Sequence, residues 1–85
     1  MAKALLQGDD LENMLRRAGH AAAVKYGISE ADGYQGCRQA SDAFRARGID
    51  GDPLQLIEFA QMRTRGLGPA ETEGVIDDMV RLRRG

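Results

Sequence analysis

Tryptophan is absent, and histidine and cysteine occur once each, as His20 and Cys37. One cysteine excludes an intramolecular disulfide, and no further ligand stands near it at zinc spacing. His20 has no Cys, Asp or Glu three or four residues away, so a helix would give it no partner for a metal. Aromatic residues are confined to Tyr26, Tyr34, Phe44 and Phe59, which leaves a core to be built from aliphatic side chains. Neither charge sign dominates: 12 basic residues stand against 13 acidic ones, with a net charge of −1. That balance argues against a dedicated nucleic-acid binder, whose affinity comes from clustered cations. No apolar run approaches the ~18 residues of a membrane span. The stretch Leu5-Leu6 is too short for the apolar part of a signal peptide, so a cytoplasmic setting is expected.

What remains is a chain of 85 residues, enough for one domain near the lower limit of autonomous stability. A dimer interface would help so thin a core. Basic residues are mainly arginine, and alanine and glycine are frequent, a coding bias of GC-rich bacterial, phage or plasmid genomes.

Glycines punctuate the sequence. Gly27-Ile28, Gly48-Ile49 and Gly66-Leu67 each pair a glycine with an apolar residue, the pattern of a helix closing in a left-handed turn. Between them the spacing predicts four helices. The first opens at Asp9-Asp10 as N-cap and carries Leu11, Met14, Leu15, Ala18 and Ala22 on one face. Gly19 inside it is costly unless it marks a close helix crossing. The second follows Ser29 and runs from about Glu30 to Arg47, with Tyr34, Cys37, Ala40, Ser41 and Phe44 on its apolar face. Gly33 and Gly36 weaken its first turns and place an alternative start near Tyr34. The third begins at Asp52-Pro53, a cap followed by a proline at the first helical position, and ends near Arg65. The fourth starts after Gly68 at Pro69, with Thr72, Val75, Ile76, Met79 and Val80 as its apolar face.

No segment alternates with period two, so no sheet is expected. The predicted fold is an all-α, four-helix domain over residues 1–85, with residues 1–8 as a lead-in and the third helix central. Its segment Leu54–Met62 is the densest apolar run in the chain and covers more than one stripe, which calls for burial on two sides. The expected core is Leu15, Ile28, Phe44, Ile49, Leu54, Ile57, Phe59, Ala60, Val75, Ile76 and Met79.

Chemistry-bearing motifs are few. Asp9-Asp10 and Asp77-Asp78 are adjacent pairs, and adjacent residues on a helix do not face each other. Asp50-Gly51-Asp52 opens like a calcium loop, but Gln61 stands at the twelfth position, where a glutamate is required. Gly66-Leu67-Gly68 lacks the Lys-Ser/Thr of a phosphate loop. Gly48-Ile49-Asp50 with Leu54–Phe59 resembles the start of the second helix of acyl carrier proteins, yet the attachment Asp-Ser-Leu of that family is replaced by Asp50-Gly51-Asp52-Pro53. Ile57–Glu71 is similar to the later helical pair of MerR-type regulators, while residues 1–50 offer no counterpart to that family's DNA-reading helix-turn-helix.

The expectation is therefore a protein without catalytic, metal or cofactor site. It is read as a small protein–protein interaction or regulatory module, such as an inhibitor, adaptor or anti-activator from a phage or mobile element. The partner is another protein or a second copy. The candidate interface is Leu56, Phe59, Met62, Arg63 and Leu82. The alternative is a compact DNA-binding protein using Gly48–Pro53 or Gly66–Pro69 as a helix-turn-helix corner, with Arg81, Arg83 and Arg84 available for an anionic partner.

Overall fold

The computed structural model describes residues 5–84, with the side chain of Arg84 excepted; the first half of the expected lead-in lies outside that range. Four helices follow one another: α1 (Gly8–Tyr26), α2 (Glu30–Ala46), α3 (Pro53–Thr64) and α4 (Pro69–Arg84). No strand occurs among the described residues.

The helix limits follow from local chemistry. Ser29 Oγ accepts from the Asp32 N–H at 3.0 Å and caps α2. Asp52 Oδ1 accepts from the Leu54 N–H at 2.8 Å and caps α3, with Pro53 in the first turn. Gly27 closes α1 at φ 68°, its N–H donating to the Ala23 carbonyl at 2.9 Å. Gly48 and Gly66 also take positive φ, 81° and 93°. A side chain there would crowd the backbone, which is why the three endings carry glycine. At the start of α1 the structure corrects the expectation. Gln7 occupies the N-cap without a side-chain bond, and Asp9 and Asp10 lie inside the first turn. They complement the helix dipole rather than cap it.

The third helix, expected to be central, packs on α1 and α2 and reaches α4 through Gln55; the second packs on α1, α3 and, less extensively, α4. Its glycines make this possible. A Cβ built on Gly19 would lie 2.8 Å from the backbone N and Cα of Tyr34, and one on Gly33 would run into the Gly19 carbonyl. A Cβ on Gly36 would lie 2.6 Å from the Ala60 Cα. So α1 crosses α2 at Gly19 and Gly33, and α3 crosses α2 at Gly36 and Ala60, each with main chain nearly touching main chain. Far from starting after these glycines, α2 runs through them.

The core gathers Leu15, Ala18, Ala22, Cys37, Ala40, Phe44, Leu56, Ile57, Phe59, Ala60, Ile76, Met79 and Val80. Ile28, Ile49 and Val75 are partly buried against it. Leu54, expected in the core, is 70% exposed. The reason is helical phase: two residues before Leu56 is about 200° around the helix, on the opposite side. The radius of gyration is 12.2 Å, close to the ~12 Å of a compact globule of this length.

Polar ties fasten the periphery. Arg47 donates to Glu73 at 2.9 Å and Asp77 at 2.7 Å, and to the Ala43 carbonyl at 3.0 Å, joining the end of α2 to α4. Those two carboxylates raise the Arg47 guanidinium further above its ordinary range. Gln55 Nε2 donates to the Met79 carbonyl at 3.0 Å, joining α3 to α4. The segment before α1 is held by its peptide group. The Leu6 N–H donates to Asp50 Oδ2 at 3.0 Å, and Arg45 donates both to the Leu6 carbonyl at 2.6 Å and to Asp50 Oδ1 at 3.0 Å.

Candidate functional site

Most of the polar groups singled out in the sequence have partners within the fold; the side chain of Arg84 lies outside the described residues. Cys37 is fully buried, and its Sγ donates to the Leu56 carbonyl at 3.5 Å. Burial pushes its thiol up from 9.0 to about 11. A thiol so placed holds its proton at neutral pH and is no nucleophile. Because the unfolded chain releases that proton near 9.0 and the folded chain only near 11, the folded state should lose stability as pH rises through that window. Urea melts at pH 8, 9.5 and 11 on the wild type and Cys37→Ala should show that extra loss in the wild type alone.

His20 is exposed, with Nδ1 2.5 Å from Glu30 Oε1. Asp50 belongs to the clamp on Leu6, and Asp52 to the α3 cap. Asp77 receives Arg47, and Asp78 pairs with Arg81. Arg83 donates to the Asp50 carbonyl, so neither Arg81 nor Arg83 is without an internal partner. Among the described residues no three His, Cys, Asp or Glu side chains gather where they could hold a metal ion. No helix among them is long and apolar enough to cross a membrane.

The expected interface does not assemble. Leu56 and Phe59 are both 0% exposed and belong to the core. With Ile57 and Ala60 they fill one arc of α3, and α1 and α2 cover that arc. The apolar excess on α3 is thus mostly consumed inside the molecule. Arg63 is half-buried and donates Nε to Gln39 Oε1 at 2.8 Å. Met62 and Leu82 are exposed, at 37% and 77%.

The fold instead opens an apolar groove between α1 and α3. One stretch, about 520 Å³, is walled by Ala21 and Val24 of α1 and by Leu54 and Ile57 of α3. A second, about 460 Å³, continues past Met14 and Ala18 of α1 and Pro53 of α3 to Leu6. The two stretches share Ala21 and Ile57. The α1 wall arises because that helix carries two apolar stripes. Leu15, Ala18 and Ala22 turn inward, while Met14, Ala21 and Val24, spaced by seven and three, turn toward the groove. Val24 and Leu54 stand exposed at 72% and 70%. Single exposed apolar residues are ordinary, but two facing one apolar concavity form a contiguous patch.

Charge surrounds the groove without filling it. His20 and Lys25 flank the first stretch from α1, and Glu58 flanks it from α3. Lys25 Nζ lies 5.3 Å from the centroid of the Tyr26 ring, a cation–π contact that leaves the ammonium at the surface. The groove offers burial and a charged rim. No hydroxyl or thiol lines it, and its one imidazole is engaged by a carboxylate.

Comparison with known proteins adds no relative: no family model matches the chain, nor does any curated protein or solved structure.

Proposed function

We propose that this chain is a small protein–protein interaction module of regulatory type, an inhibitor, adaptor or anti-activator, and that its contact face is the groove between α1 and α3. One observation carries the reading: Val24 of α1 and Leu54 of α3, more than two-thirds exposed, line one stretch of the groove together with Ala21 and Ile57. Covering such side chains favours association by ~1.5–3 kcal/mol each before the cost of bringing two molecules together. A helix suits such a groove, since an amphipathic helix can lay its apolar face between apolar walls.

A photo-crosslinking residue placed at Val24 or Leu54 in the native cell tests this. It should yield a defined protein adduct by mass spectrometry. The same residue at the exposed controls Ala31 and Thr64 should yield none. Absence of an adduct at both groove positions would overturn the reading.

A further inference from the structure

The charges beside Val24 and Leu54 select the occupant of the groove. Lys25 stands on the α1 side and Glu58 on the α3 side of the same stretch. Both are exposed, and among the described residues neither has an ion-pair partner. Arg16, Arg38, Arg45, Arg47 and Arg81 each have a carboxylate within 4.0 Å, whereas Arg17 and Arg65, like Lys25, have none among the described residues. In that stretch one cation and one anion without an ion-pair partner therefore stand on opposite lips, while Asp10 and Arg17, also without one among the described residues, line the α1 side of the second stretch.

A two-fold axis running along the trough carries α1 of one copy over α3 of the other. Lys25 then meets the partner's Glu58, and Val24 meets the partner's Leu54. Symmetry makes each contact twice, as an isologous interface requires. An axis across the trough would lay α1 of one copy over α1 of the other and leave Lys25 without the partner's Glu58 opposite it. An unrelated helix would need its own anion and cation at matching positions, whereas a second copy brings them by construction. The chain is also small enough to gain from the cover.

We propose, building on the interaction reading, that two copies of this chain pair groove to groove, with α1 of each lying over α3 of the other. Sedimentation equilibrium of the purified chain should show a monomer–dimer equilibrium. Lys25→Glu and Glu58→Lys should each weaken self-association by about tenfold or more, because each places like charges at both symmetric contacts. Mixing the two variants should restore dimers, now mixed ones, since every contact again pairs opposite signs. The double variant Lys25→Glu/Glu58→Lys should dimerise like the wild type. Circular dichroism should be unchanged throughout, as both side chains are exposed.

A wild type that stays monomeric at millimolar concentration overturns the pairing, as does a mixture that fails to associate, or single variants as dimeric as the wild type. If the wild type is monomeric while crosslinks from Leu54 reach a different protein, self-pairing fails and the interaction module stands. If crosslinks are absent as well, both fail.

Discussion

Gly33→Ala is expected to lower the unfolding free energy by about 2–3 kcal/mol or more, while Gly74→Ala raises it by about 0.5–1 kcal/mol. Both replace a helical glycine by the best helix former, so propensity alone predicts a gain at each. The surroundings reverse one of them. A Cβ on Gly33 would press on the carbonyl of Gly19 and lie 3.1 Å from its carbon. A Cβ on Gly74 would meet nothing within 4 Å. The obstacle at Gly33 is main chain, which cannot swing aside as a side-chain end can. The helices α1 and α2 must separate, and with them the packing of Leu15, Ala18 and Ala22. A domain of this size holds roughly 4–13 kcal/mol in all, so the loss is a large share of it. Urea denaturation followed by far-ultraviolet circular dichroism measures both. Equal midpoints for Gly33→Ala and wild type would mean that the two helices do not cross where the structure places them.

Phe59→Ala should cost about 3–5 kcal/mol, and Leu54→Ala should stay within about 0.5 kcal/mol of the wild type at concentrations where the chain is monomeric. The two side chains lie five residues apart on one helix. Phe59 is fully enclosed, and truncating it leaves a cavity that its neighbours fill only in part. Leu54 gives up little in the monomer because water already reaches most of it. Thermal melts of the two variants separate a core residue from a contact residue without knowledge of any partner. A small effect at Phe59 would return it to the surface and undo the phase assigned to α3.

Elements written in local chemistry were legible from the residues alone. Asp52-Pro53 and Ser29 start helices by satisfying the first free N–H groups, and Gly27, Gly48 and Gly66 end them by a backbone turn that other residues resist. These effects act within a few residues and need no tertiary partner. The orientation of α3 was not legible. Its apolar residues cover most of its circumference, so their pattern alone does not say which arc meets α1 and α2 and which meets solvent. The pattern accordingly places Leu54 inward and Leu56 at an interface, and the fold reverses both; Phe59, expected in the core and at the interface alike, lies in the core alone. The close crossings explain part of this. Glycines at Gly33 and Gly36 read locally as weak points in a helix, yet they let α2 approach α1 and α3 on adjacent faces. The Val24 wall was hidden for a related reason. Leu15, Ala18 and Ala22 form the stronger stripe on α1, and Met14, Ala21 and Val24 form a second one beside it that shows only when α3 is in place.

Asp50 and Arg45 grip Leu6 through its N–H and carbonyl, not through its side chain. Every residue except proline presents the same two groups, so the grip is blind to what stands at that position. The side chain itself lines the far end of the groove. Evolution can therefore retune the groove's tip, from aliphatic to aromatic or charged, without releasing the arm that carries it.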